Sequence, residues 1–208
     1  EGTETMKKVK RILFATGNQG KMKEVREILA DLGVEVISMR EAGVSAEIVE
    51  DGETFEENAV IKARTIMELT GEVTLADDSG LEIDALGGEP GVYSARYMGE
   101  DTSYHIKNND LIRRLSQVPR QQRTARFVCS IAAAFPDGEI ITTDGVIEGL
   151  IGYEEAGENG FGYDPIFVVP QLGCTTAQLS DEQKNEISHR GKALRKMKEE
   201  LRKRMELS

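Results

Sequence analysis

The stretch Val9–Met39, VKRILFATGNQGKMKEVREILADLGVEVISM, decides the fold. Val9–Ala15 is apolar enough for a buried strand. Met22, Val25, Ile28, Leu29 and Leu32 then recur at helical spacing, and Gly33 supplies a natural C-terminal stop. VEVISM, Val34–Met39, alternates like a second strand. Strand, helix and strand in this order predict a parallel pair joined by a crossover helix, and so an α/β sheet.

Outward from that unit, Thr54-x-x-Glu57 reads as a capping box opening a helix with Phe55, Ala59, Ile66 and Leu69 on its apolar face. A short strand, EVTLA, is expected to end in the acidic corner Ala76–Gly80, ADDSG. LEIDALGGEPGVYSARY reads as a strand followed by a loop, and DTSYHIKNNDLIRRLSQV as a helix. ARFVCSIAAAF and EIITTDGVIEGLI flank PDG and read as a long antiparallel hairpin, expected to project as part of a second lobe. A last helix carries Leu194, Met197 and Leu201. The expected class is α/β with a mixed twisted sheet.

Composition narrows the function. The chain has 208 residues, enough for a single domain over 1–208 with a proper core, and carries a net charge of −11. That charge argues against a broad nucleic-acid surface, which needs clustered Lys and Arg to neutralise phosphates, so no nucleic-acid partner is expected. A small anion in a local positive pocket remains compatible with an acidic chain. Cys129 and Cys174 show no paired spacing and read as two thiols. No apolar run reaches the roughly 20 residues of a membrane span, so no membrane partner is expected and a cytoplasmic location is the default. Residues 1–8 are expected to be flexible or in part a cloning or processing remnant.

Five stretches bear chemistry. In TGNQGK, between strand and helix, backbone N–H groups face outward at the positive end of a helix dipole, while Thr16, Asn18 and Lys21 add a hydroxyl, an amide and a charge; the alternatives are a phosphate cradle and a plain turn. In ADDSG, adjacent carboxylates need a cation to offset their repulsion, as a magnesium–phosphate site provides, or else form an exposed turn. EIVEDGETFEEN offers Glu47, Glu50, Asp51 and Glu53, and spacing does not choose which of them reaches a metal. In ENGFGYDPIF, Phe161 and Tyr163 among glycines suit stacking on a nucleobase or plugging a loop. In LSDEQKNEISHRGKA, Ser188 reads as an N-cap, placing His189 and Arg190 in a first helical turn, where cations oppose the dipole and so suit donation to a ligand; Lys184 lies just upstream.

Taken together, TGNQGK, EDGETFEENAVIKA, LADDSGLEIDALGGEPGVYSARY, GENGFGYDPIF and LSDEQKNEISHRGKA closely resemble the inosine triphosphate pyrophosphatase (Ham1-like) family, in order and spacing, from about Arg11 to Lys192. The resemblance implies an elongated two-lobed α/β domain with its active-site cleft between the lobes, a homodimer, and Mg²⁺-dependent hydrolysis of the purine nucleotides ITP, dITP and XTP to monophosphate and pyrophosphate. By motif, Thr16, Gly17, Asn18, Gln19, Gly20 and Lys21 would grip the phosphates. Asp78 would be the catalytic acid or base, with Glu50 and Asp77 joining it at the metal. Ser79, Phe161, Gly162, Tyr163, Asp164, Lys184, His189 and Arg190 would form the substrate pocket. Two rival readings are a related pyrophosphatase for modified pyrimidine or methylated nucleotides and a nucleotide-binding sensor without turnover.

Overall fold

The computed structural model describes residues 9–206, with side chains through 204; the expectation for residues 1–8 lies outside the described residues. Its strands and helices follow in the order β1 (Arg11–Phe14), α1 (Gln19–Leu29), β2 (Glu35–Ser38), α2 (Phe55–Thr70), β3 (Thr74–Ile83), α3 (Tyr104–Arg114), β4 (Thr124–Ala134), β5 (Ile140–Ile151), β6 (Phe167–Val169), β7 (Cys174–Thr175), α4 (Asp181–Ile187) and α5 (His189–Glu206). The strands form one mixed sheet in the order β2-β1-β3-β4-β5-β6-β7. β1 runs parallel to both β2 and β3, while β6 is antiparallel to β5 and β7. The expected mixed α/β class is therefore present.

The opening unit folds as its pattern dictates. Met22, Val25 and Leu29 turn inward from α1, which tightens into a 3-10 turn over Ala30–Leu32 before Gly33 takes the left-handed conformation, φ 70°. Leu13 donates its N–H to Val73 and Ala15 to Leu75, which locks β1 beside β3. In α2 the buried stripe is Phe55, Ala59, Ala63, Ile66 and Met67. Leu69, expected on that face, is 62% exposed because it lies on the flank of the stripe in the helix's last turn.

Two further expectations are corrected. β3 does not end at the acidic corner but continues through Asp77 and Asp78 to Ile83, since β4 accompanies it as its sheet neighbour. The acids are thus consecutive residues within a strand and point to opposite faces. The long hairpin is divided rather than assigned whole to one lobe. One compact unit takes in the described residues of Glu1–Asp78, Ser130–Asp144 and Ala193–Ser208, and the other Ser79–Cys129 and Gly145–Lys192.

Each unit has its own core. In the first, Leu13, Ile37, Ala59, Ile66, Ala76 and Ala132 pack together. In the second, Leu81, Leu111, Phe127, Ile151, Ile166 and Phe167 do so. Buried Arg123 ties three segments of the second unit by donating to the carbonyls of Val118, Gly152 and Leu115 at 2.9, 2.9 and 2.6 Å. Among the described residues no helix is long and apolar enough to cross a membrane.

Candidate active site

In the first unit, β1 delivers Thr16 directly to the start of α1. Thr16 Oγ1 accepts from Asn18 N–H at 3.1 Å, and Asn18 caps the helix by accepting from Lys21 N–H at 3.1 Å. These two bonds fix the loop, while Gly17, Asn18, Gln19 and Gly20 stay exposed. Gly17 has no atom within 4 Å of where a Cβ would stand. Lys21 reaches back across the unit: its Nζ lies 3.3 Å from Asp77 Oδ2. The TGNQGK turn and the acidic pair therefore meet through Lys21.

Asp77 is 1% exposed. Asp78 keeps a side-chain exposure of 15%, and its Oδ2 is buried with no hydrogen-bond partner. Burial pushes the Asp78 carboxyl up to about 6; Lys62 and a hydrogen bond from Asn58 pull the other way, and the charges of Glu50 and Asp77 add to the rise. Lys62 Nζ stands 3.0 Å from Glu50 Oε1 and 4.0 Å from Asp78 Oδ1. Burial opposes its charge, but Asp77, Glu50 and Asp78 together hold its pKa above the ordinary value. Of the four acids in the 47–53 loop, Glu50 is the one in an ion pair with Lys62. Among the described residues no three His, Cys, Asp or Glu side chains stand as a ready metal-ligating group.

Lys62 and Asn58 escaped the reading of the sequence. Both project from α2, four residues apart, and Asn58 is 1% exposed. Asn58 Oδ1 accepts from Gly52 N–H at 2.8 Å while its amide serves Asp78, so one side chain ties the acidic loop to the strand. The available signal was a polar i, i+4 pair interrupting an otherwise apolar helix face.

The second unit gathers the other expected residues. Arg190, 2% exposed, donates to Ser79 Oγ at 3.2 Å. Ser188 does cap α5, accepting from Gly191 N–H at 2.9 Å, and it follows α4, a short helix with its own capping box of Ser180 and Gln183. Lys184 is buried on α4 and donates to Asp164 Oδ2 at 2.5 Å. Both cations face one ring: Lys184 Nζ lies 4.3 Å and Arg190 Cζ 5.3 Å from the Phe161 centroid. The ring remains partly open as a platform, since Phe161 is 36% exposed. His189 stacks on Phe127 at 4.8 Å.

Not every expected residue presents itself outward. Asp164 is buried and accepts from Lys184, from Thr176 Oγ1 at 2.7 Å and from Phe161 N–H at 2.9 Å. Tyr163 is a core residue: its hydroxyl donates to Ser94 O at 2.5 Å, its ring meets Tyr104 edge to face, and burial drives its pKa well above the phenol range. These two support Phe161 and Lys184 from beneath. Gly162, between them, takes φ 64° and lies against the Tyr104 ring.

Known proteins match this chain over almost its whole length. The family model described as the Ham1 family covers residues 12–200. A dITP/XTP pyrophosphatase of Desulforamulus reducens is 52% identical over 191 residues, 92% of this chain and 95% of its own. The protein of the same name from Bacillus subtilis is 47% identical over 189 residues, 91% of this chain and 96% of its own. Among solved structures, the Ham1 protein of Staphylococcus aureus superposes with a TM-score of 0.83 at 44% identity, covering 92% of this chain and 98% of its own. The HAM1 protein of Coxiella burnetii gives 0.85 at 42%, covering 93% and 98%. With its sequence matched from residue 12 to residue 200 and its fold matched in solved members, the chain belongs to the Ham1 family.

Proposed function

We propose that this protein is a nucleoside triphosphate pyrophosphatase for non-canonical purine nucleotides of the dITP, ITP and XTP type. The observation that carries the reading is the 3.3 Å approach of Lys21, from the helix-capping loop, to Asp77, whose neighbour Asp78 keeps a buried oxygen without a hydrogen-bond partner. The names of the relatives, dITP/XTP pyrophosphatases at 47% and 52% identity, support the same substrate class.

The reaction forms a bond from water oxygen to the α phosphorus as the bond to the α–β bridging oxygen breaks, and pyrophosphate departs with that oxygen and its electron pair. Asp78 is assigned the water's proton, its carboxyl lying near 6, where a base is effective at neutral pH. Lys21, with the α1 amides, is assigned the phosphates, and Lys62 the negative charge that accumulates beside Glu50 and Asp78. The donor set is chemically suited to Mg²⁺, being hard oxygen, crowded with like charge and orphaned at Asp78 Oδ2. Glu50 and Asp78, which meet at Lys62, would hold the ion, which when bound would supply positive charge to the phosphate oxygens; Asp77, expected beside them, is on the other face of β3 and pairs with Lys21 instead.

Phe161 is assigned the purine face, with Arg190 and His189 as donors to a 6-oxo acceptor that adenine lacks. Ser79 and Lys184 support that group, and Tyr163 and Asp164 hold it in place. A homodimer completes the proposal, with sedimentation equilibrium as its check. The test of the activity is pyrophosphate release from dITP, ITP, XTP, GTP and ATP, with and without Mg²⁺. Mg²⁺-dependent release that favours the first three is expected; saturable dITP binding without product would leave a sensor in place of an enzyme.

A further inference from the structure

We propose that Asn108 on α3, acting with Glu155, is a positioning residue that sets the Phe161 ring for purine binding; the inference rests on the activity proposed above. Phe161 sits in the loop that leaves β5 after Ile151, and three glycines of that loop, Gly157, Gly160 and Gly162, take positive φ of 90°, 72° and 64°. A path with three left-handed turns needs holding from outside, because glycine backbones have many alternatives.

One side of the loop is fixed by the chain leading into α4. Ala156 N–H donates to Pro165 O at 2.9 Å, Asn159 N–H to Ala177 O at 2.9 Å, and the Asn159 side chain to Leu179 O at 3.0 Å. A Cβ on Gly157 would come within 2.4 Å of the Ala177 carbonyl carbon, so this edge has no slack.

The other side is held by α3. Asn108 is 1% exposed, and its amide donates to Gly162 O at 3.2 Å and to Glu155 Oε1 at 3.4 Å. One amide thus joins two points of the loop, one before and one after its glycine-rich tip. Glu155 is gripped further: its Oε2 lies 2.6 Å from His105 Nδ1 and accepts from Asn109 Nδ2 at 3.2 Å. Gly162 is the residue next to Phe161, so the Asn108 bond fixes the backbone at the ring's own root. Nothing else on α3 donates to that carbonyl among the described residues. Removal of a buried donor leaves its acceptor unsatisfied, and a carboxylate in its place cannot donate at all.

The chain contains no tryptophan, so Phe161→Trp makes a single-indole reporter of the loop. In that background Asn108→Ala and Asn108→Asp are expected to raise acrylamide quenching of the indole. In the otherwise native chain they are expected to raise KM for dITP and XTP about tenfold while kcat stays within about twofold. Glu155→Ala removes the second acceptor of the Asn108 amide and should follow Asn108→Ala. Unchanged KM and quenching in the Asn108 variants would overturn the inference. So would kcat and Tm falling in the Asn108 variants with no selective rise in KM, which marks a merely structural role. A native protein inert toward every purine triphosphate would sink the proposed activity, and the quenching measurement, which needs no turnover, would then decide the clasp.

Discussion

At the scale of single residues, the site's economy turns on Asp78. A donor placed on charge that develops in a transition state is worth about 3–4 kcal/mol, so Lys21→Ala and Asp78→Asn are each expected to lower kcat/KM about a hundredfold or more. Steady-state kinetics on folded variants check this, and near-native turnover by Asp78→Asn would remove it as the base. The same side chain carries a cost in stability. Its folded pKa of about 6 lies above the ordinary carboxyl value near 3.9, so the folded state holds the proton more tightly. The stabilisation from protonation is complete below about pH 4 and is lost as pH rises through 6. Protein stripped of divalent ions should therefore become more stable in Asp78→Asn at pH 7, by up to about 3 kcal/mol, with the gain vanishing near pH 4. Urea unfolding across that range decides it, and a pH-independent difference would show that the buried carboxyl is not the cause.

At the scale of elements, α2 does two jobs with two stripes. Ala59, Ala63 and Ile66 face the sheet, while Asn58 and Lys62 serve the acids. Ile66→Ala is expected to destabilise by about 2–5 kcal/mol, with little change in turnover of the molecules that stay folded. Lys62→Met removes the cation between Glu50 and Asp78, and is expected to cut kcat/KM about tenfold or more with a smaller change in melting. Thermal melts beside kinetics separate the two, and matched losses in both variants would refute the division. α2 also shows where the sequence was readable. Thr54 and Glu57 announced its start, and the apolar spacing announced its buried side. Lys62 stayed hidden because a lone cation on a helix looks like solvated charge until the fold brings Glu50 and Asp78 to it. β3 was misjudged for a related reason: two adjacent acids look like a turn, and Lys21, Lys62 and Asn58, distant in sequence, help make them tolerable inside a strand. The Asn18-capped turn into α1, by contrast, was legible because its strand, cap and lysine lie within a few residues of one another.

At the scale of the whole molecule, the two compact units hold different chemistry: acids paired with Lys21 and Lys62 in the first, the Phe161 ring with Lys184 and Arg190 in the second. If purine choice and bond cleavage are assigned to separate residue sets, their variants must fail differently. Lys21 is assigned the phosphates, which every purine triphosphate shares, so Lys21→Ala should slow dITP and ATP by the same factor and leave their ratio intact. Arg190 is assigned the base edge, where dITP offers an acceptor and ATP a donor, so Arg190→Ala should narrow the preference by about tenfold or more, chiefly through dITP. Because Arg190 also donates to Ser79 at 3.2 Å, Arg190→Lys keeps a charge but loses the planar fork and should recover little of the preference. Competition assays with both nucleotides present measure the ratio directly. A preference that shifts with Lys21 and not with Arg190 would mean that the base is recognised through the phosphate end, and the assignment of Phe161, His189 and Arg190 to the purine would fall.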